Sequence, residues 1–155
     1  MTTLVETPTT QVYRLTEALR EPSRSASVLR PAPDEADFEE LLLLKLGPRG
    51  WGRVTHFRQY YQPSWGEGSG KPLSPRALSA FRRFLQHAQF PKGRPPSVFL
   101  TDRGGLEVCW EDVAGKSVQV EFTSHGIEYY LEATESEVTT DYAEIPALAK
   151  TLTGV

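Results

Sequence analysis

The sequence predicts an α+β domain in which an antiparallel meander of three or four strands packs against two or three helices, with a mobile N-terminal tail in front. Apolar residues recur at every second position in three successive segments, and a period of two is typical of strands with one buried face. Turn segments that contain Gly separate these strands. Ahead of them, two stretches repeat apolar residues at the spacing of amphipathic helices. The apolar triplets are Leu106, Val108 and Trp110; Val118, Val120 and Phe122; and Ile127, Tyr129 and Leu131.

Helices are predicted at about 35–46, 49–61 and 74–88, with a short C-terminal helix at 143–152. Gly47 ends the first helix, and Pro48 follows it. The helix at 74–88 starts with Ser74 as its N-cap and Pro75 at its first position, and its apolar stripe is expected to pack on the sheet. The leucines of the first helix lie nearly all the way round it. We therefore expect it to be covered on more than one side, by the core or, as the alternative, by a second subunit.

The strands are predicted at about 97–101, 106–111, 117–122 and 127–132. Residues 34–155 are expected to form a single domain. Residues 1–33 are rich in Thr, Ser, Pro and Arg, a composition that buries too little apolar surface to offset the entropy of ordering, so they are predicted to be a mobile tail.

The predicted hairpins place three glutamates side by side on the polar face of the sheet. The registers that align the apolar triplets set Glu107 opposite Glu121, and Glu121 opposite Glu128. Directly opposed like charges destabilise a sheet. We therefore expect these carboxylates to meet cations, either Arg58 or other residues of the basic half of the chain, or a basic partner. The alternative is a solvated face on which the side chains splay apart.

Charge is distributed unevenly along the chain. The net charge is -3, but residues 45–96 hold ten basic residues and one acid, whereas residues 97–155 hold eleven acids and three basic residues. Such asymmetry bears on partners and on long-range attraction, and not on the fold. The two halves either neutralise each other within the domain or attract partners of opposite charge.

Few side chains are suited to catalysis or to metal binding. His56, His87 and His125 fall on polar helix faces or in a turn, and none has a metal-binding spacing. Cys109 lies between two glutamates of the same strand face, a setting that raises the pKa of a thiol and weakens it as a nucleophile. We therefore predict no enzyme activity, no cofactor and no metal site.

The cellular location is also predicted from composition. The single cysteine excludes an internal disulfide and suits a reducing compartment, which favours a cytoplasmic protein. The longest apolar run, residues 41–44, is too short to span a membrane. No membrane association is expected.

Two segments carry a resemblance to known sequences. They are the loop 64–68 with the helix start at 71–78, and the block 96–130, which contains Gly104-Gly105, Trp110 and Gly126-Ile127-x-Tyr129. Together they resemble a group of small uncharacterised bacterial proteins with a Trp-Asp-Gly-type loop, a Pro/Ser-initiated helix and a Gly-Gly…Trp…Gly-Ile-x-Tyr β-meander. The resemblance covers about half of the chain. It implies the order of the elements and no activity, cofactor or partner.

By elimination, these observations favour a non-enzymatic protein–protein interaction module, of the antitoxin or immunity type or an accessory subunit, that covers a partner protein. The predicted partner-binding residues are those of the acidic sheet face, Glu107, Glu121, Glu128 and Tyr130. The alternative is a nucleic-acid-binding protein that uses the basic helical half, residues 49–94, for phosphate contacts. Its candidate residues are Arg49, Arg53, Arg76, Arg82 and Arg83. A homodimer remains a further option.

Overall fold

The computed structural model describes residues 33–154, and within them it contains three α-helices and one five-stranded antiparallel sheet. The predicted α+β class is confirmed. The strands follow one another across the sheet in chain order, β1-β2-β3-β4-β5, as a meander does. The elements are α1 (Pro33–Tyr60), α2 (Pro75–His87), β1 (Ser97–Leu100), β2 (Leu106–Glu111), β3 (Ser117–Phe122), β4 (Ile127–Leu131), β5 (Ser136–Thr140), a 3₁₀ helix (Tyr142–Glu144) and α3 (Ile145–Thr153).

The predicted count of three or four strands is too low, because the sequence pattern does not mark the segment that forms β5, the fifth strand, as a strand. Val138 is the one apolar residue in β5, so no apolar alternation marks it. Thr139 and Thr140 are β-branched and fit a pleated surface, and all five residues pair with β4 in register. The pairing with β4, more than burial of its own side chains, holds this strand in place.

Helix α1 is broken at Gly47, which has φ 72° and ψ 178°. Only Gly adopts such a backbone without strain, and Pro48 then starts the second half with its preset φ. The break separates the two helices predicted at 35–46 and 49–61. In the second half, Val54 and Phe57 are buried, whereas Arg58 is exposed and its guanidinium carbon lies 6.0 Å from the centroid of the Phe38 ring.

Helix α2 forms one side of the hydrophobic core against the inner face of the sheet. Ser74 caps it, since its hydroxyl accepts a hydrogen bond from Ala77 N–H at 3.3 Å. Phe84 packs on Phe122 and Trp110, with ring centroids at 5.2 and 6.2 Å. Trp110 is 6% exposed. The predicted packing of this helix on the Trp110 face of the sheet is thereby confirmed.

The leucine-rich first half of α1 is buried on one side. Leu42 and Leu46 are buried in the core, whereas Leu43 and Leu44 are 43% and 76% exposed. The expectation that the core covers this helix on more than one side is therefore wrong for these two leucines. Coverage of Leu43 and Leu44 by a second subunit stays a prediction.

Residues 37–154 belong to one compact unit, and Pro33–Ala36, the first turn of α1, belong to a separate N-terminal unit. The tail predicted at residues 1–33 lies outside the described residues, except for Pro33, where α1 begins. None of the described helices is both long enough and apolar enough to cross a membrane.

Candidate partner-binding face of the sheet

The outer face of the sheet carries the predicted row of glutamates. Glu107 pairs with Glu121 across β2 and β3, and Glu121 pairs with Glu128 across β3 and β4, so the predicted registers are confirmed. The same row continues to Phe99 on β1 and to Thr139 on β5. Because successive side chains of a strand alternate between faces, all five share the side opposite to the core.

The outer face has a shallow hollow of about 100 Å³, bordered by the glutamate row and by residues two positions further along the strands. Cys109, Gln119, Tyr130 and Glu137 form the neighbouring row, from β2 to β5. All four residues predicted to bind a partner line this hollow. Its full lining is Glu107, Gln119, Glu121, Glu128, Tyr129, Tyr130 and Glu137.

Among residues 33–154, one cation forms ion pairs with the glutamates of this row, and it comes from the turn between β1 and β2. Arg103 Nη2 lies 2.5 Å from Glu121 Oε2 and 2.8 Å from Glu128 Oε2, and its Nη1 donates to Glu128 Oε1 at 3.2 Å. Hydrogen bonds to Glu128 and Glu121 raise the pKa of Arg103, and the bond from Arg103 lowers the pKa of Glu128. We expected Arg58 or other residues of the basic half to pair with these glutamates within the chain. That expectation is wrong, because the arginine that pairs with them, Arg103, belongs to the acidic half.

The turn itself positions the Arg103 side chain. Thr101 N–H donates to Gly105 O, and Gly104 N–H donates to Thr101 O, both at 3.0 Å. Gly104 has φ 78°, a left-handed conformation that suits Gly. The Thr101 hydroxyl donates to Glu121 Oε1 at 2.9 Å. The turn thus supplies two groups that bind the Glu121 carboxylate.

Glu107 is bonded differently from the other two glutamates of the row. The Cys109 thiol donates to Glu107 Oε1 at 3.1 Å. Burial, together with this bond and the negative charge of Glu107, raises the pKa of Cys109 to about 12. In the part of the chain that the structure describes, no basic side chain pairs with Glu107 or with Glu137. The hollow therefore keeps more negative charge than Arg103 neutralises.

A second cation lies at the β1 end of the glutamate row. The guanidinium carbon of Arg53, from α1, lies 4.7 Å from the centroid of the Phe99 ring. Phe99 is 41% exposed and is directly opposite Glu107 in the β1–β2 ladder. The row thus runs from Phe99, under the guanidinium of Arg53, to Thr139 on the last strand of the sheet.

The residues of the nucleic-acid alternative are found in three different places. Arg49 and Arg53 line a cavity of about 150 Å³ together with residues 95–98. Arg76 and Arg83 line a groove of about 270 Å³ with Tyr142. Arg82 lies 5.3 Å from the Phe38 ring. These contacts do not gather the five arginines around one cavity or groove.

Side chains that could bind a metal do not cluster in the described residues. No cluster of three or more His, Cys, Asp or Glu side chains is arranged to hold a metal ion in residues 33–154. The ring of His56 stacks on Tyr60 with centroids 4.8 Å apart.

Comparison with family models, with curated proteins and with solved structures found no match to this chain. The resemblance to small bacterial proteins therefore stays a prediction.

Arg103, Gln119 and Glu137 belong to this face but are not among the residues predicted to bind a partner. Gln119 could have been found, since it alternates with Val118 and Val120 and must therefore share the face of Glu121. Glu137 was missed with the strand that carries it. The position of Arg103 depends on the turn conformation, which the alternation of apolar residues does not encode.

Proposed function

We propose that the protein is a non-enzymatic interaction module that binds a basic segment of a partner protein on the outer face of its sheet. Antitoxins, immunity proteins and accessory subunits are classes of protein that work by covering a partner. The proposal assigns Glu107, Glu121, Glu128 and Tyr130 to the contact with that partner.

The observation that carries the proposal is the partial neutralisation of the glutamate row. Glu107 and Glu121 are directly opposed, and such like-charged pairs cost stability. Arg103 is bonded to Glu121 and Glu128, whereas among residues 33–154 the Cys109 thiol is the one group bonded to the Glu107 carboxylate. A lysine or arginine of a partner, placed in the hollow beside Glu107, would remove the repulsion that the domain leaves in place.

The hollow also offers groups that favour arginine over a simple point charge. Tyr130 lines it, and tyrosine rings attract guanidinium groups. Gln119 provides an amide that can donate or accept a hydrogen bond. Because exposed charges are screened by salt, binding is expected to weaken as ionic strength rises.

A site-specific crosslinker tests the proposal. A photoreactive residue replaces Gln119, which is exposed in the hollow, and in a control replaces Gln59, which is exposed on α1. We expect the Gln119 probe, and not the Gln59 probe, to crosslink one basic protein in cells that express the full chain natively. Adding Glu107→Gln should abolish that crosslink, whereas adding Glu40→Gln, at an exposed carboxylate of α1, should not. Equal crosslinking from both positions, or none from Gln119, would contradict the proposal.

A further inference from the structure

Strand β5 is one edge of the sheet, and the β3–β4 hairpin fixes the direction of its backbone groups. Glu132 N–H donates to Ser117 O at 3.0 Å, just beyond the end of that hairpin's ladder. Hydrogen-bonded pairs alternate along an antiparallel ladder, so the even-numbered residues of β4 bond to β3 and the odd-numbered ones bond to β5. The β4–β5 register then assigns the inward bonds of β5 to its even-numbered residues. Glu137 and Thr139 consequently direct their N–H and C=O groups away from the sheet.

This edge is open in the described part of the chain. Glu137 and Thr139 are exposed, and their outward backbone groups form no hydrogen bond with any of residues 33–154. Sheet edges are commonly protected by Pro, by charged side chains, above all Lys, or by a bulge, and Glu137 is the charged residue of β5. Residues 136–140 contain neither Pro nor Lys, and they pair with β4 without a bulge. The opposite edge is different, since Pro95 and Pro96 precede β1 and line a cavity with Arg53 of α1.

We propose that an extended basic segment of a partner protein adds to β5 as a sixth strand. This inference rests on the proposed function and names its binding mode. Residues of the added strand that pair with Glu137 and Thr139 would place their side chains on the outer face beside these two residues, one strand away from Glu128 and Tyr130. Main-chain hydrogen bonds would hold the segment, and lysine or arginine at alternate positions would meet the acidic hollow.

Charge selects a basic segment over a second copy of this chain. Glu135, Glu137 and Asp141 are exposed at or next to β5. Antiparallel pairing of β5 with the β5 of a second copy would bring these acids close to their own counterparts, and like charges across a strand pair are destabilising. A segment with basic residues at alternate positions reverses the sign of that interaction.

The test uses the full chain and a synthetic probe, the capped peptide Lys-Val-Lys-Val-Lys-Val-Lys, with Glu-Val-Glu-Val-Glu-Val-Glu as its acidic match. Amide hydrogen exchange is followed by NMR in the free and in the bound protein. We expect the N–H groups of Glu137 and Thr139 to exchange rapidly in the free protein and to become protected only with the lysine peptide. Protection of these two amides reports on strand addition and not on binding to the acidic face alone.

The variant Thr139→Pro removes one outward donor, and Pro is tolerated on an edge strand where the N–H faces solvent. We expect it to weaken peptide binding about tenfold or more while the unfolding temperature stays near that of Thr139→Ala, which keeps the N–H. If Thr139→Pro does not fold, amide hydrogen exchange in the wild-type chain still tests strand addition.

Several outcomes would overturn strand addition. Peptide binding that is lost in Glu107→Gln but leaves Glu137 and Thr139 unprotected would reject the mode and keep the proposed function. Equal protection by the acidic peptide would reject a basic occupant. A free protein that sediments as a dimer, and as a monomer once Thr139→Pro is introduced, would assign the edge to a second copy. Absence of lysine-peptide binding would reject strand addition. The proposed function is tested separately, by crosslinking from position 119.

Discussion

Glu121 lies directly opposite Glu128 in the β3–β4 ladder, and a single guanidinium, that of Arg103, is bonded to both carboxylates. The side chain of Glu121 is 15% exposed, and that of Glu128 is 37% exposed. Because these charges are partly removed from water, their pairing is worth more than that of a fully solvated pair. The β1–β2 turn thus stabilises the pairing of β3 with β4, strands to which it is not directly connected.

Arg103→Gln is expected to lower the free energy of unfolding by about 1–2 kcal/mol. The substitution leaves neighbouring carboxylates without their cation, and hydrogen bonds to charged groups contribute about 1.5–3 kcal/mol when well buried. The Arg103 side chain is 52% exposed, so a value toward the lower end is expected. Urea unfolding at pH 7 measures the difference.

Arg94→Gln is the matched control. Arg94 pairs with Glu111, and the two side chains are 78% and 50% exposed. An ion pair this open to solvent contributes about 0–1 kcal/mol. A loss from Arg94→Gln as large as that from Arg103→Gln would show that the bridge between Glu121 and Glu128 has no special role.

The Arg103 contribution should disappear in acid. The bond from Arg103 lowers the pKa of Glu128 below that of the unfolded chain, about 4.3 for Glu. A carboxylate whose pKa is lowered by folding contributes stability above the unfolded pKa and loses it as pH falls through the folded pKa. Unfolding free energies at pH 7, 4 and 3 should therefore decline less steeply in Arg103→Gln than in the wild type. Parallel pH profiles would contradict the coupling.

The strand registers can be predicted from the sequence, because one face of each of these strands is buried. Shifting a strand by one residue would turn Trp110 and Val120 to solvent, so the apolar alternation determines the register and, with it, the opposition of Glu107 and Glu121. Arg103 had no such constraint, because its position follows from the dihedral angles of one turn. β5 escaped prediction for a related reason: its place depends on backbone pairing with β4, and that pairing leaves no apolar pattern in the sequence.

Cys109 should be an unreactive thiol in the native state. Its pKa is raised to about 12, mainly by burial and further by Glu107, against about 8.5 for a free thiol. Alkylation by iodoacetamide at pH 8 is therefore expected to be about a hundredfold slower than for glutathione. Glu107→Gln should raise the rate several-fold without reaching that of a free thiol, since burial remains. Native and urea-unfolded rates that coincide would contradict this account.

Trp110 combines deep burial with an indole N–H that has no hydrogen-bond partner in the described part of the chain. Trp110→Ala removes the contacts with Phe84 and Phe90 and should cost about 3–5 kcal/mol. Trp110→Phe keeps an aromatic ring and removes the unpaired donor, so about 1 kcal/mol or less is expected. Thermal unfolding of the two variants compares them directly. Equal losses would mean that the N–H is satisfied in solution.

Glu121→Gln and Glu107→Gln should separate internal pairing from partner binding. Glu121 accepts from Arg103 and from the Thr101 hydroxyl, so Glu121→Gln is expected to reduce stability by about 1 kcal/mol. Glu107 has no cation among the described residues and faces Glu121, so Glu107→Gln should leave stability unchanged or raise it by a few tenths of a kcal/mol.

The variant that keeps its stability, Glu107→Gln, should be the one that loses the partner crosslink from position 119. Glu107→Gln should lose that crosslink at full stability, because its carboxylate is the one left for an outside cation. Circular dichroism melting and crosslink yield are measured on the same preparations, with Glu40→Gln as the control for removal of one charge. If Glu107→Gln destabilises the protein as much as Glu121→Gln does, Glu107 has a counter-ion inside the chain. The glutamate row would then need no partner to explain it.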